Sequence, residues 1–234
     1  MRLFTIAVLT VLISISASIA SAHEFIVVPE EWQTYQVGQE VPVSVFSTHV
    51  FVRSEELEDE GYTELSYLGA KLPLTANKNW LTYDSKVKLQ GNGAAIIAGH
   101  RLPMLYQNVK YEKFAKLILP VAGKSQGFDA VQGQRLEIVP VSNPLEAKVG
   151  DEISFRVLLD GKPAAFDMIQ ATYSGFSDIP NSWAFSASSV SHGLGKVRIS
   201  APGLWLVRVT VVLDEKGKDY NAVDLKAVLT FPVK

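Results

Sequence analysis

Short apolar segments separated by turn-forming residues dominate the sequence, and they constrain what the chain can fold into. Segments rich in Val, Ile, Leu, Phe and Tyr alternate with Gly, Pro, Asn and Asp, a pattern typical of β-strands joined by tight turns. The pattern predicts an all-β protein with strands at residues 41–46, 94–98, 136–139, 153–159, 197–199, 205–212 and 224–233.

One segment follows a different periodicity. Tyr111, Phe114, Ala115 and Ile118 are spaced so that they would share one face of a helix. This spacing predicts a single short helix over residues 111–118.

A nine-residue pattern occurs twice, at an offset of 112 positions. VGQEVPVSV at 37–45 and VGDEISFRV at 149–157 both place a Val-Gly turn before an alternating strand. The offset is close to the length of one β-sandwich, about 100 residues. We therefore predict two tandem Ig-like or transthyretin-like β-sandwich modules, at 23–142 and 143–234. The segments at 158–164 and 202–209 resemble a carboxypeptidase-regulatory-like sandwich in the second module.

The first 22 residues have the organisation of a signal peptide. Arg2 precedes an apolar stretch at 3–13, and the segment ends in Ala20-Ser21-Ala22, a small-x-small cleavage pattern. The alternative is an N-terminal membrane anchor, but the apolar stretch is shorter than the ~20 residues a spanning helix needs. We expect cleavage after Ala22, release into the periplasm and no stable membrane insertion of the product.

Composition excludes several classes of function. The chain has 22 Lys and Arg, 24 Asp and Glu, a net charge of −2 and no Cys. It has no basic excess for nucleic acid, and neither disulfides nor thiolate sites can form. Motifs of serine hydrolases and of nucleotide-binding loops are absent from the sequence. These observations favour a binding protein rather than an enzyme.

The position of His23 makes it the first candidate metal ligand. Cleavage after Ala22 leaves His23 with a free α-amino nitrogen, which can chelate one metal ion together with the ring Nδ1. A second histidine would complete three nitrogen donors, the arrangement called a histidine brace, which suits Cu(II) or Ni(II). The alternative is that cleavage leaves a histidine there without functional meaning.

Two further histidines stand at the ends of apolar strands. His49 follows the strand at 41–46, and His100 follows the apolar residues 94–99. Both are candidate ligands, and the alternative for each is a half-buried ring that hydrogen-bonds to backbone. Met104 offers a soft thioether or simple core packing. His192 lies in a turn of the second module and is left outside the site.

Several short motifs resemble one known family. They are Ala22–Val27 (AHEFIV), 47–51 (STHVF), 98–101 (AGHR), 110–114 (KYEKF), 136–140 (LEIVP), 143–144 (NP), 160–163 (DGKP) and 202–205 (PGLW). In order and spacing they resemble a bacterial periplasmic family of unknown function known as NikM-type, associated with nickel or cobalt uptake. The resemblance covers nearly all of the chain after residue 22.

The resemblance implies an exported all-β protein that handles a divalent transition-metal ion, Ni, Co or Cu. It places ligands at His23, His49 and His100, and the expected partners are the metal ion and a metal permease or TonB-type receptor. Members of the family often have a longer segment between the GHR and YEKF motifs than this chain, which has only Leu102 to Lys110 there. The resemblance therefore does not extend to a ligand contact from this loop.

Two other functions are compatible with the sequence. One is an Ig-like interaction module without metal that binds a protein partner or a glycan, suggested by Trp32, Trp80 and Trp183. Aromatic residues are common at interfaces but also in cores. The other is a copper oxidase using the brace, for which neither a flat aromatic surface nor an acidic residue supporting the metal ligands can be assigned.

Overall fold

A computed structural model describes residues 23–31, 33–54, 56–57, 60–189 and 192–234. The predicted signal peptide, its cleavage site and Trp32 lie outside this part. The described residues form two 3₁₀ turns, Glu60–Tyr62 and Pro144–Glu146, and the following strands: Glu24–Pro29 (β1), Glu40–His49 (β2), Val52–Arg53 (β3), Thr63–Tyr67 (β4), Ala70–Lys71 (β5), Thr75–Asn77 (β6), Thr82–Lys88 (β7), Ala94–Tyr106 (β8), Val109–Pro120 (β9), Leu136–Pro140 (β10), Glu152–Leu159 (β11), Lys162–Pro163 (β12), Met168–Tyr173 (β13), Phe185–Ser188 (β14), Leu194–Arg198 (β15), Gly203–Leu213 (β16) and Ala222–Val233 (β17).

The predicted all-β fold class is confirmed, and the predicted helix at 111–118 is wrong. These residues belong to β9, which pairs antiparallel with β8 and parallel with β17. Phe114 packs into one hydrophobic cluster and Ala115 into another, on opposite faces of the sheet. A strand that is buried on both faces carries apolar residues at consecutive positions. In β9, some of these residues have the spacing of one face of a helix, which explains the wrong prediction.

The described residues form three sheets. The central sheet has eight strands in the order β14-β13-β16-β17-β9-β8-β4-β5. A sheet of β1, β2, β7 and β6, with β3 on β2, packs on the half containing β4, β8 and β9. A second small sheet, formed by β10, β11, β12 and β15, packs on the half containing β13, β16 and β17. Two sandwiches therefore share one continuous sheet.

The sequence repeat corresponds to a repeated strand arrangement. Gly38, at φ 82°, donates its N–H to Leu89 O at 2.8 Å, and Gly150, at φ 101°, donates to Ile199 O at 2.8 Å. Glycine adopts such left-handed conformations without a Cβ clash. Both glycines lead into a strand of a small sheet, β2 in one sandwich and β11 in the other.

One strand before the predicted boundary near Ser142 belongs to the small sheet of the second sandwich. Strand β10, at Leu136–Pro140, lies upstream of that boundary but pairs antiparallel with β11. Its place beside β11 matches that of β1 beside β2, since Pro140 pairs with Phe155 as Pro29 pairs with Val43.

A buried ion pair joins β9 to β10. Lys116 Nζ donates to Glu137 Oε1 at 2.8 Å, and each side chain is 1% exposed. The Glu137 carboxylate also accepts the backbone N–H groups of Gln132 and Gly133 at 2.7 and 3.0 Å. Burial lowers the pKa of Lys116, and the charge of Glu137 opposes that shift. Removing one partner would leave an uncompensated charge in the interior.

Replacement of Glu137 tests this dependence. Glu137→Ala is expected to lower the free energy of unfolding by about 3–5 kcal/mol, because Lys116 loses its counter-charge and backbone N–H groups lose their acceptor. Glu152→Ala, which breaks a pair with Lys196 whose side chains are 55% and 50% exposed, should cost at most about 1 kcal/mol. Urea denaturation measures both, and equal losses would contradict the assignment.

Candidate functional site

His23 and His49 meet at one end of the β1–β2 ladder. Glu24 pairs with Thr48 in the antiparallel register, so the residues before and after them, His23 and His49, are cross-strand neighbours. Their ring centroids are 4.2 Å apart, with an interplanar angle of 58°. The structure thus brings together two of the three histidines that the sequence singled out.

The two rings differ in their hydrogen bonding. His23 Nε2 lies 3.4 Å from Ser54 Oγ. His49 Nδ1 is buried and has no hydrogen-bond partner within the described residues. A buried nitrogen without a partner costs about 1–3 kcal/mol. His49 is therefore held in a position that favours a further interaction of its ring.

The spacing of the rings suits two ligands of one metal ion. A metal–nitrogen bond of about 2.0–2.1 Å and an imidazole radius of about 1.1 Å place each centroid about 3.2 Å from the ion. Two rings at neighbouring corners of a square would then have centroids about 4.5 Å apart. The observed 4.2 Å is close to this distance.

The Glu24 carboxylate holds the backbone next to both histidines. This fully buried side chain accepts the N–H of Val50 at 2.8 Å, directly after His49. Its other oxygen accepts Arg208 Nη1 at 2.5 Å and lies 3.7 Å from Lys226 Nζ. Lys226 Nζ in turn donates to His23 O at 3.2 Å. One carboxylate therefore connects the turn after His49 to β16 and β17 of the second sandwich.

A strained two-residue turn follows His49. Val50 has φ 67°, an unfavourable conformation for a β-branched residue. The Thr48 hydroxyl lies 2.8 Å from Val50 O and 2.6 Å from Val52 O. Together with Glu24, the hydroxyl holds this conformation, and such strain persists where neighbouring groups over-determine it.

Cationic side chains form a row on the central sheet beside the histidines. Register places Arg101, Lys113 and Lys226 side by side on β8, β9 and β17. All three are buried, and Lys226 reaches the backbone of His23. Lys226 therefore connects this row to the backbone of His23, and its Nζ lies 3.7 Å from the Glu24 carboxylate.

Asp224 of β17 pairs with Tyr111 of β9, and Tyr111 pairs with Met104 of β8. Asp224 lies on the same face of the sheet as Lys226, two residues away. Burial raises the pKa of Asp224, and Lys226, Lys113 and Arg208 only partly oppose this shift. Met104 is 39% exposed, next to an irregularity in the β8–β9 pairing.

His100 faces the other side of the central sheet. Its neighbour Arg101 places its guanidinium 4.8 Å from the ring of Phe25 on β1, and successive strand residues point to opposite faces. His100 stacks on Phe114, and its Nε2 lies 2.8 Å from Glu112 Oε1. The predicted three-histidine set is therefore not assembled, because the strand alternation turns His100 away from His23 and His49.

The contact between His23 and His49 supplies two side-chain donors. Across the described ranges, no three or more His, Asp or Glu side chains are grouped so that they could hold a metal ion. His192 lies in a turn of the second sandwich, with φ 55°. A third donor beside His23 and His49 would be the α-amino nitrogen of His23, which is not a side-chain atom.

Glu24, Arg208 and Lys226 belong to no motif of the sequence and were not predicted. The available signal was an acidic residue opening an otherwise apolar strand, Glu24–Pro29. Its partners are 184 and 202 positions away in the sequence, so spacing alone gave no indication of them.

The sequence profile of DUF4198, described as a domain of unknown function, matches residues 20–212. This match covers most of the chain. The chain belongs to the DUF4198 family. No protein with a curated description matches this DUF4198 chain.

Comparison with solved structures gives distant similarities. The D0-D1 domain of intimin has 14% identity and a TM-score of 0.26, with 90% of this chain and 98% of that chain covered. The human OSCAR ligand-binding domain has 14% identity and a TM-score of 0.27, with 89% and 99% covered. The adhesin InvE of Yersinia pseudotuberculosis has 12% identity and a TM-score of 0.26, with 91% and 59% covered. TM-scores of this size do not establish a shared fold, so the all-β assignment for DUF4198 rests on the strands themselves.

Neither of the described 3₁₀ turns, nor any other helix in the described ranges, is long and apolar enough to cross a membrane.

Replacement of Asp224 tests the electrostatics beside the histidines. Asp224→Asn is expected to raise the free energy of unfolding at pH 7 by about 1 kcal/mol, because it removes an incompletely compensated buried charge. A carboxyl with a raised pKa binds its proton more tightly in the folded state than in the unfolded state. The destabilisation caused by ionised Asp224 therefore decreases as the pH falls towards the pKa of the unfolded chain. The difference from wild type should therefore shrink between pH 7 and about pH 4.

The control is Asp219→Asn in the exposed loop before β17, which should change stability little at either pH. Urea denaturation at both pH values measures the effect. A pH-independent difference, or a loss of stability at pH 7, would show that Asp224 is stabilised by its cationic neighbours.

Proposed function

We propose that this DUF4198 protein is an exported, non-catalytic transition-metal-binding protein that supports metal uptake in the periplasm. The observation that carries the proposal is the contact of the His23 and His49 rings at 4.2 Å, with a buried, unpartnered nitrogen on His49. Two imidazoles in contact at a strand end form the protein part of a metal site.

The proposed donors are the α-amino nitrogen and ring of His23 and the ring of His49. Nitrogen donors of this kind suit Cu(II), Ni(II) and Co(II), and the usual order of stability places Cu(II) first. The amine exists only after cleavage following Ala22. The site would therefore be completed after export, which restricts metal binding to the compartment where uptake begins.

The scaffold supports preorganised donors. Glu24 fixes the backbone on both sides of the site through Val50 and, by way of Lys226, through His23. Outer-shell partners of this kind orient metal ligands and raise affinity. The resemblance to a family associated with nickel or cobalt uptake supports Ni and Co as cargo, and a metal permease or TonB-type receptor as the proposed partner.

A second candidate function is recognition of a glycan or protein partner. Of the three tryptophans that suggested it, Trp80 is 62% exposed. Trp183 packs against the Arg208 guanidinium at 4.5 Å, and Trp32 lies outside the described residues. Trp80 is therefore the residue that favours this function, on a surface separate from the histidines.

Calorimetric titration tests the metal site. Protein beginning at His23 is titrated in turn with Cu(II), Ni(II) and Co(II), and we expect one equivalent of at least one ion to bind. His49→Ala should weaken binding at least about tenfold, the loss of roughly 1.4 kcal/mol. A flexible Gly-Ser extension of about six residues before His23 should weaken it similarly, because it moves the free amine away from the ring.

The matched control is His100→Ala, which removes an imidazole from the opposite face of the sheet. It should leave the affinity unchanged. If His100→Ala weakens binding as much as His49→Ala, or if the extension has no effect, the proposed donor set is wrong.

Proton release gives an independent test. Amine and imidazole nitrogens must lose their protons to bind a metal, so affinity should fall as the pH is lowered from about 8 to 6. Titrations in two buffers of different ionisation enthalpy count the protons released. A pH-independent affinity without proton release would show that oxygen ligands, already ionised in this range, bind the ion instead.

A further inference from the structure

A groove of about 710 Å³ lies on the outer face of the first small sheet. This volume falls within the range of about 300–1,000 Å³ typical of small-molecule sites. Strands β2, β6 and β7 supply its floor, and Arg53 of β3 with Trp80 supplies one wall. Its lining does not include His23 or His49, so it is distinct from the proposed metal site.

A set of fixed polar groups covers the floor. The Asp84 carboxylate accepts hydrogen bonds from Ser44 Oγ at 2.7 Å, Thr82 Oγ1 at 2.7 Å and Asn77 Nδ2 at 2.8 Å. Burial alone raises the pKa of Asp84, but these bonds and the charge of Arg53 outweigh it and lower the pKa. The carboxylate is therefore an ionised acceptor, held in one orientation before any ligand arrives.

An exposed indole stands at the wall. Trp80 is 62% exposed. The Arg53 guanidinium lies 4.9 Å from the Trp80 ring centroid and 5.3 Å from that of Phe46. Arg53 Nη1 also donates to Trp80 O at 2.8 Å. Both side chains are thus fixed at the groove without a ligand, which reduces the entropic cost of binding.

The turn that presents Trp80 is strained. Trp80 N–H donates to Asn77 O at 3.2 Å, and the next residue, Leu81, has φ 53°. The left-handed conformation costs a leucine roughly 1–2 kcal/mol. This turn holds the exposed Trp80 indole beside the polar floor of the groove.

The charged residues around the groove indicate what class of ligand it can bind. Glu30 and Asp84 are balanced by Arg53 and Lys86 around the groove, so the lining selects neither an anion nor a cation. An apolar ligand would displace water from the Asp84 carboxylate, whose two oxygens have acceptor capacity beyond the three bonds from the floor. A neutral polyhydroxyl compound fits both surfaces, because its C–H groups can contact the negative face of an indole while its hydroxyls meet fixed donors and acceptors.

We propose that this groove binds a neutral saccharide, with Trp80 as the stacking platform and Asp84, Asn77 and Arg53 as hydrogen-bonding groups for sugar hydroxyls. The occupied surface is the outer face of β2, β6 and β7. Binding there does not require the metal or its histidines, so the proposal stands apart from the metal site.

Titration with neutral oligosaccharides tests the groove. Metal-free protein beginning at His23 is titrated with maltohexaose, cellohexaose and chitohexaose, which differ in linkage and in the 2-substituent. Heat and tryptophan fluorescence report binding. We expect at least one of them to bind below about 10 mM. Trp80→Ala should weaken that binding at least about tenfold, and Asp84→Asn should weaken it while leaving Trp80 in place.

Phe176→Ala is the matched control, because Phe176 is an aromatic residue of the second sandwich that is 41% exposed and lies outside the groove lining. It should bind like wild type, as should His49→Ala, and thermal unfolding confirms that each variant is folded. No binding of any of the three sugars, or binding that Trp80→Ala leaves unchanged, overturns the proposal. Loss of sugar binding in His49→Ala would also overturn it, by tying the sugar to the histidines.

Discussion

The parallel pairing of β9 with β17 is the interaction on which the rest of the molecule depends. Each strand closes one sandwich, and their pairing runs from Val109 beside Ala222 to Leu117 beside Thr230. Without it, each half would leave a long apolar strand with unpaired backbone groups at an exposed edge. With this pairing, the two sandwiches share one sheet, and each core covers one face of β9.

This junction also determines where β1 lies. The strand is hydrogen-bonded to β2, but it also crosses the seam between β9 and β17, where Thr230 Oγ1 donates to Val27 O at 2.6 Å. Ile26 packs with Leu206 and Val228 of the second sandwich. The first residues of the described chain are therefore anchored by both halves, and Glu24 extends that anchoring to the two histidines through its bonds to Arg208 and Val50.

Local features of the sequence predicted most of the strands, because alternation and turn residues occur at consecutive positions. They also singled out three histidines, of which two lie in contact. The side of the sheet on which each histidine lies could not be predicted in this way. A shift of one residue turns a side chain to the other face, and this separates His100 from Arg101. The bond between Glu24 and Arg208 depends on pairing across the seam, which no local pattern encodes. The helix predicted over 111–118 failed for the same reason, since β9 is buried on two sides by partners distant in sequence.

The repeated strand arrangement shows what the ladder end beside the histidines needs in order to form. Extending the β10–β11 register, in which Leu136 pairs with Leu159, sets Gln134 opposite Gly161, at the ladder end that corresponds to His23 and His49. There the Gln134 amide donates to Gly99 O and Ala115 O at 3.0 and 3.1 Å, and the ladder ends without any imidazole. The same backbone arrangement thus exists twice in one chain, once with two rings and once with none. The second ladder end is formed without histidine, so this strand pairing does not require the two rings in order to fold.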